Sequence, residues 1–208
     1  MPKVVNAEER RELIVDAVFR LVARGGVEAA SLRNVAVESG LNIGSVRHYV
    51  ESHDALMLAA TEAMAERVGR RVEDRVRAAQ SSSLVGDGPA TEAAIVDLYA
   101  QLLPLDAARR GECAVWLAFL ERSRVNPELR GAAEQMHREV VRVTTEWLTA
   151  AGVPEAADRA ALLTTGVDGL TLAALSWPDD YPPDRQLRLL GGLLRQAFVD
   201  TRGLGSAE

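Results

Sequence analysis

Residues 31–56 read SLRNVAVESGLNIGSVRHYVESHDAL, and two short helices meet inside this stretch. Ser31 offers a hydroxyl that can cap a helix beginning at Leu32, and Gly40 supplies a left-handed stop after Ser39. A second helix starts after Asn42 and runs roughly from Gly44 to Val50. Ser52 then caps a long helix from about His53 to Ala79, with Asp54 near its positive end. Gly40 permits a turn tight enough to set the short helices at a steep angle. Leu32, Val35 and Ala36 on the first and Ile43 and Val46 on the second are expected to form their shared core, with Ala36 small enough to keep them close.

This pattern predicts a helix-turn-helix and leaves Asn42, Gly44, Ser45, Arg47, His48 and Tyr49 on the outer surface of the later helix. Such a short helix can enter a major groove end-first. Arg47 can address guanine or phosphate, Ser45 and Asn42 can bond to base edges or phosphate, and Tyr49 and His48 can donate to phosphate oxygens. Gly44 lets the backbone come close. Arg33 and the backbone N–H groups after Ser31 and Ser52 would add phosphate contacts. A helix-turn-helix shape also occurs in ordinary bundles without a DNA partner, but here many capped and exposed positions agree at once.

Outward from this segment, every periodic stretch is helical and none alternates with a period of two, so the fold class is all-α, with about nine helices. In the first helix, about Ala7 to Arg24, the expected apolar stripe is Leu13, Val15, Ala17, Val18, Leu21 and Val22, and Gly25-Gly26 ends it. Ser81 to Ser83 and Gly86 to Pro89 make a loop. Five helices are expected after it, at about Ala90 to Leu103, Asp106 to Arg124, Pro127 to Ala151, Pro154 to Trp177 and Asp184 to Arg202. The second of these has a candidate break at Arg110-Gly111, and Gly203 to Glu208 reads as a frayed tail. The expected division is a helix-turn-helix domain over residues 1–52 and a ligand-binding and dimerisation domain over 53–208.

Composition excludes several classes. The chain of 208 residues is 48% apolar and 26% charged, a globular balance. Its longest uninterrupted apolar run, Ala114 to Leu120, is far short of the ~20 residues of a membrane span. The amino terminus lacks the apolar stretch of a signal peptide, so a cytoplasmic location is expected. A single cysteine, Cys113, permits no internal disulfide and reads as a small buried residue. Only three histidines accompany it, His48, His53 and His137, and two of these lie in the recognition region. No metal cluster, cofactor motif or nucleophile–base pair can be assembled, so an enzyme is not expected. The net charge of −6 argues at first against nucleic acid. However, Lys3, Arg10, Arg11, Arg20, Arg24, Arg33 and Arg47 balance the acids of the first 50 residues, and the acidity belongs to the remainder.

With Gly25-Gly26, Ser31 to Ala36, Ser39-Gly40-Leu41, Arg47-His48-Tyr49-Val50 and Ser52 to Leu56, the chain resembles the TetR family of one-component regulators over its first quarter. Three positions depart from that family's pattern. Arg47 stands for its first tyrosine, Val50 for a phenylalanine, and His53 for a lysine that holds a phosphate. Trp116 to Phe119, Asn126 to Arg130 and Val167 to Leu170 look like the BetI-like branch.

The resemblance implies a homodimer that binds operator DNA and a small-molecule effector, expected to act as a repressor released by that effector. The alternative is an architectural DNA-binding protein without an effector. Among the later aromatics, Tyr99, Trp116, Phe119, Trp147 and Trp177 either line a cavity or fill a core. The family's cavity lies among the middle helices of its sensor domain, which favours Trp116, Phe119, Met136, His137 and Trp147 as ligand contacts. Asp168 is a further polar candidate, or else a helix cap or surface carboxylate. Leu162, Leu163, Gly166, Leu170, Ala173, Leu187, Leu190, Gly191 and Leu194 either complete the protomer core or form a two-fold four-helix interface. The resemblance favours the interface, as does the need for two recognition helices about 34 to 36 Å apart.

Overall fold

Glu8 and Glu9 in the first turn and Arg24 in the last oppose the dipole of the opening helix, α1 (Ala7–Gly25). In the computed structural model, residues 7–81 and 92–198 are described, and every regular element in them is helical. A 3-10 turn (Val27–Ala29) follows α1, then α2 (Leu32–Ser39), α3 (Ile43–Tyr49) and α4 (His53–Ser81). After the undescribed segment come α5 (Glu92–Tyr99), a second 3-10 turn (Ala100–Leu102), α6 (Ala107–Val125), α7 (Pro127–Ala150), α8 (Ala156–Ser176) and α9 (Pro183–Phe198). The loop expected around residues 82–89, the start of the fifth helix at Ala90 and the tail at 203–208 lie outside the described residues, as does the last turn expected for α9.

The chain divides into two compact units. One takes the chain up to Val68 together with Asp106–Ala133, and the other takes Gly69–Leu105 and the chain from Glu134 onward. The expected boundary after Ser52 falls within the first.

In the first unit the core comes from α1 (Ile14, Val15, Val18, Phe19, Val22), α2 (Val35, Ala36), α3 (Val46), α4 (Leu56, Met57, Ala60) and α6 (Val115). The buried stripe of α1 is rotated from the expected one: Leu13 is 41% exposed, while Ile14 and Phe19 are buried. Its cause is α6. A Cβ built on Gly111 would meet the Phe19 carbonyl oxygen at 3.2 Å, so a glycine here lets α6 run close against the Phe19 side of α1. The candidate break at Arg110-Gly111 is therefore an uninterrupted helix with a close crossing.

The second unit is built on α5, α8 and α9, with Ile95, Tyr99 and Leu103 packed against Leu163, Val167, Leu170, Leu190 and Leu194. A Cβ on Gly166 would come within 2.9 Å of Leu193, so a small residue on α8 lets α9 approach. Arg159, on α8, is buried and donates through Nη1 to the Ala197 carbonyl at 2.7 Å, satisfying an end carbonyl of α9. No local signal in the sequence anticipates that pairing. The fifth helix ends four residues earlier than expected, at Tyr99, and tightens into the 3-10 turn.

Candidate nucleic-acid interface

Three side-chain caps position the helix-turn-helix. Ser31 Oγ accepts from the Asn34 backbone N–H at 3.2 Å, Asn42 Oδ1 from that of Ser45 at 2.8 Å, and Ser52 Oγ from that of Ala55 at 3.1 Å. Each satisfies a donor that the first turn of its helix leaves open. Gly40 sits at φ 70°, ψ 16°, and its N–H closes the end of α2 on the Ala36 and Val37 carbonyls. Asn34 donates from Nδ2 to the Ala29 carbonyl at 2.9 Å and so ties α2 to the preceding turn.

Asn42 thus has a structural duty: its carbonyl oxygen is engaged in the cap, which leaves the amide N–H₂ to face outward chemistry. Gly44 is part of the same device. A Cβ there would stand 3.2 Å from Asn42 Oδ1, closer than ordinary contact, so a side chain would push against the cap.

On α3, Val46 is fully buried and holds the helix to α2. Around it Arg47 and His48 are exposed, with Tyr49 and Ser45 half-buried. The His48 and Tyr49 rings meet edge to face at 5.5 Å. Arg33, Asn42, Gly44 and Ser52 are exposed, and Ser31 and His53 half-buried, so all ten expected DNA-facing positions keep some surface. Among the described residues Arg33 and Arg47 make no ion pair. By contrast Arg20 and Arg24 both engage Glu38, at 2.6 and 2.5 Å, and these two hydrogen bonds hold its carboxyl below the usual range. One expectation fails: Ile43 is not part of the shared core but is 40% exposed, because Val35, Ala36 and Val46 close that core without it.

The start of α4 carries a linkage that sequence reading did not find. Asp54 receives Arg122 Nε at 2.8 Å and Asn126 Nδ2 at 2.7 Å, while Asn126 Oδ1 accepts from the Glu128 N–H at the head of α7. The Arg122 hydrogen bonds depress the Asp54 carboxyl below its usual value. The Asn126-Pro127 turn was a visible signal, but its partner 72 residues away was not.

The expected effector contacts divide between the units. In the first, Phe119 is fully buried and stacks on the half-buried Trp116, ring centroids 6.3 Å apart. In the second, Trp147 packs half-buried beside the Tyr99 and Leu163 core, Asp168 and Met136 are half-buried, and His137 is exposed on α7. His137 borders a shallow surface depression with Arg138 and Arg142. Trp177 is exposed rather than core. The structure adds a buried polar contact between Tyr99 and Thr144, whose hydroxyl in turn donates to the Val140 carbonyl at 2.7 Å. Burial pushes the Tyr99 phenol up.

Of the residues expected at a two-fold interface, Leu163, Leu170, Leu190, Gly191 and Leu194 are buried within the protomer, and Gly166 is covered by Leu193. They complete its core, the other role open to them. Leu162 and Leu187 are exposed and Ala173 is half-buried, and beside them Leu172 and Leu189, which the sequence did not single out, are exposed as well.

A helix-turn-helix followed by a larger helical region is the architecture of a DNA-binding transcriptional regulator. Comparison with known proteins gives the family. Residues 91–199 match the family described as BetI-type transcriptional repressor, C-terminal. The chain belongs to the TetR family of transcriptional regulators, with a BetI-type C-terminal region. It is 29% identical over 194 residues to the transcriptional regulator PksA of Bacillus subtilis, covering 91% of this chain and 90% of that protein. It is also 29% identical over 197 residues to the regulator BetI of Burkholderia mallei, covering 87% and 95%. A transcriptional regulator from Rhodococcus sp. Rha1 superposes with a TM-score of 0.78 at 32% identity, over 90% of this chain and 95% of that one. A regulator from Saccharomonospora viridis in complex with choline shares the fold, at 21% identity and a TM-score of 0.76 over 93% and 99% of the chains. No helix among the described residues is long and apolar enough to cross a membrane.

Proposed function

We propose that the protein is a homodimeric, sequence-specific repressor that leaves its operator when a small molecule binds. The observation that carries this reading is the outer face of α3, where Arg47 and His48 are exposed on a helix anchored by buried Val46 and capped at both neighbouring junctions. DNA contact is assigned to residues 1–52, through Ser31, Arg33, Asn42, Gly44, Ser45, Arg47, His48, Tyr49, Ser52 and His53. Sensing and dimerisation are assigned to 53–208.

Two-fold association is supported by the unpartnered row on α8, where Leu162, Thr165, Gly169 and Leu172 recur at three- and four-residue spacing and all are exposed. Effector release is supported by the relative solved with choline, and by a multidrug binding protein of the same fold solved with ethidium at 27% identity. A ligand acts only through a difference in affinity between operator-bound and free states, typically a coupling of about 1 to 3 kcal/mol.

The test is a titration of purified protein onto its own upstream intergenic DNA and onto scrambled DNA, at several salt concentrations. A dimer neutralising about eight phosphates gives a log–log salt slope of roughly −7. Tight binding to the upstream duplex, lost with Arg47→Ala plus Tyr49→Phe, is the expected result. Equal weak binding to both DNAs would indicate an architectural DNA-binding protein without an effector.

A further inference from the structure

Ile43 opens α3 and is 40% exposed, although an apolar β-branched side chain gains nothing from water there. The core between α2 and α3 is closed by Val35, Ala36 and Val46. Ile43 stands four residues before the exposed Arg47, and positions at that spacing are neighbours on one helix face. Beside it Gly44 presents no side chain that could screen it, and Asn42 has its carbonyl oxygen turned back into the cap.

We infer that Ile43 is a specificity-determining residue that reads the C5-methyl group of a thymine in the major groove. The inference rests on the α3 interface proposed above. In the major groove the thymine methyl is an apolar feature of a base edge, whereas the other edges present donors and acceptors. An isoleucine satisfies none of those polar groups and would bury them unpaired, but it packs against a methyl. Neighbouring side chains on one helix face have Cβ atoms about 5 to 6 Å apart. Base steps rise about 3.4 Å. The thymine therefore lies within about two base pairs of the position at which Arg47→Ala relaxes selectivity.

The experiment enriches binding sites from a random-sequence duplex pool with the wild-type protein. Each thymine of the enriched site is then replaced symmetrically by deoxyuridine, which removes only the methyl, and binding of wild type and Ile43→Ala is compared. One thymine per half-site is expected to cost the wild type about fourfold per half-site when demethylated. The Ile43→Ala protein is expected to bind both versions equally. Because the decisive change is made in the DNA, a folding defect in the variant cannot produce that pattern for the wild type. Indifference of the wild type to every replacement, or an equal penalty in Ile43→Ala, overturns the inference and leaves the repressor reading standing. Failure of the pool to enrich any sequence overturns both.

Discussion

The helix pairs α2–α3 and α8–α9 both pack through buried side chains, yet they are specified differently. In α2–α3 both helix starts and the end of α2 are set by residues inside the segment: Ser31 and Asn42 cap, and Gly40 stops. In α8–α9 closeness comes from Gly166 meeting Leu193, and satisfaction of the α9 end from Arg159, 38 residues from the carbonyl it binds. Local rules therefore orient the surface of the first pair. In the second, which leucines face in and which face out depends on what packs from elsewhere. Leu163 is buried and its neighbour Leu162 exposed.

The largest effect that probes this contrast is expected at Leu190, which has no exposed surface. Leu190→Ala should cost about 2 to 5 kcal/mol in chemical denaturation. Leu172→Asp, on the exposed row, should leave protomer stability within about 0.5 kcal/mol. In sedimentation it should instead move the protein from dimer to monomer. A Leu172→Asp protein that unfolds, or that stays dimeric, breaks the distinction between a buried and an outward leucine set.

Arg47→Ala should lose about 1 to 3 kcal/mol of operator binding without a change in melting temperature. An equal loss on scrambled DNA would mark Arg47 as a phosphate contact only. Asn42→Ala removes the α3 cap and should cost about 1 kcal/mol of stability. Asn42→Asp keeps the cap but should weaken DNA binding by adding negative charge. Comparing the two separates the cap from the contact, and identical binding by both would deny Asn42 any direct role at DNA.

The smallest effect concerns Asp54. Its carboxyl is depressed by Arg122 below the ordinary value of 3.8. A depressed acid contributes stability that is fully present above its unfolded value and is lost as pH falls through the folded one. Urea midpoints should therefore fall below about pH 4, and Asp54→Asn should flatten that part of the profile. An unchanged acid limb in the variant would assign it to other carboxylates.

Much of the candidate interface was legible because its signals are short-range. Ser31 lies three residues from the N–H it caps, and so do Asn42 and Ser52. Gly40 takes the one backbone conformation that its residue type favours. Ile43 was misread because periodicity alone puts it beside Val46, and only the closed packing of Val35, Ala36 and Val46 shows that it is not needed. Leu13 was misread for a related reason, since α6 crosses α1 on the Phe19 side through Gly111. Asp54 with Arg122 and Asn126 left no mark, because nothing in one segment encodes a partner 68 or 72 residues away.

By itself the sequence determined an all-helical chain, the caps and stop of the helix-turn-helix, and the polar residues of α3 that face outward. Caps and turns act over three or four residues, so residue types in order suffice to state them. Tertiary structure alone decided which way Ile43 points, that Leu190 and Leu194 belong to the protomer core, and that Leu162 and Leu172 stay outside it. Burial is a property of what arrives from distant parts of the chain, and the periodicity of a single helix does not contain it.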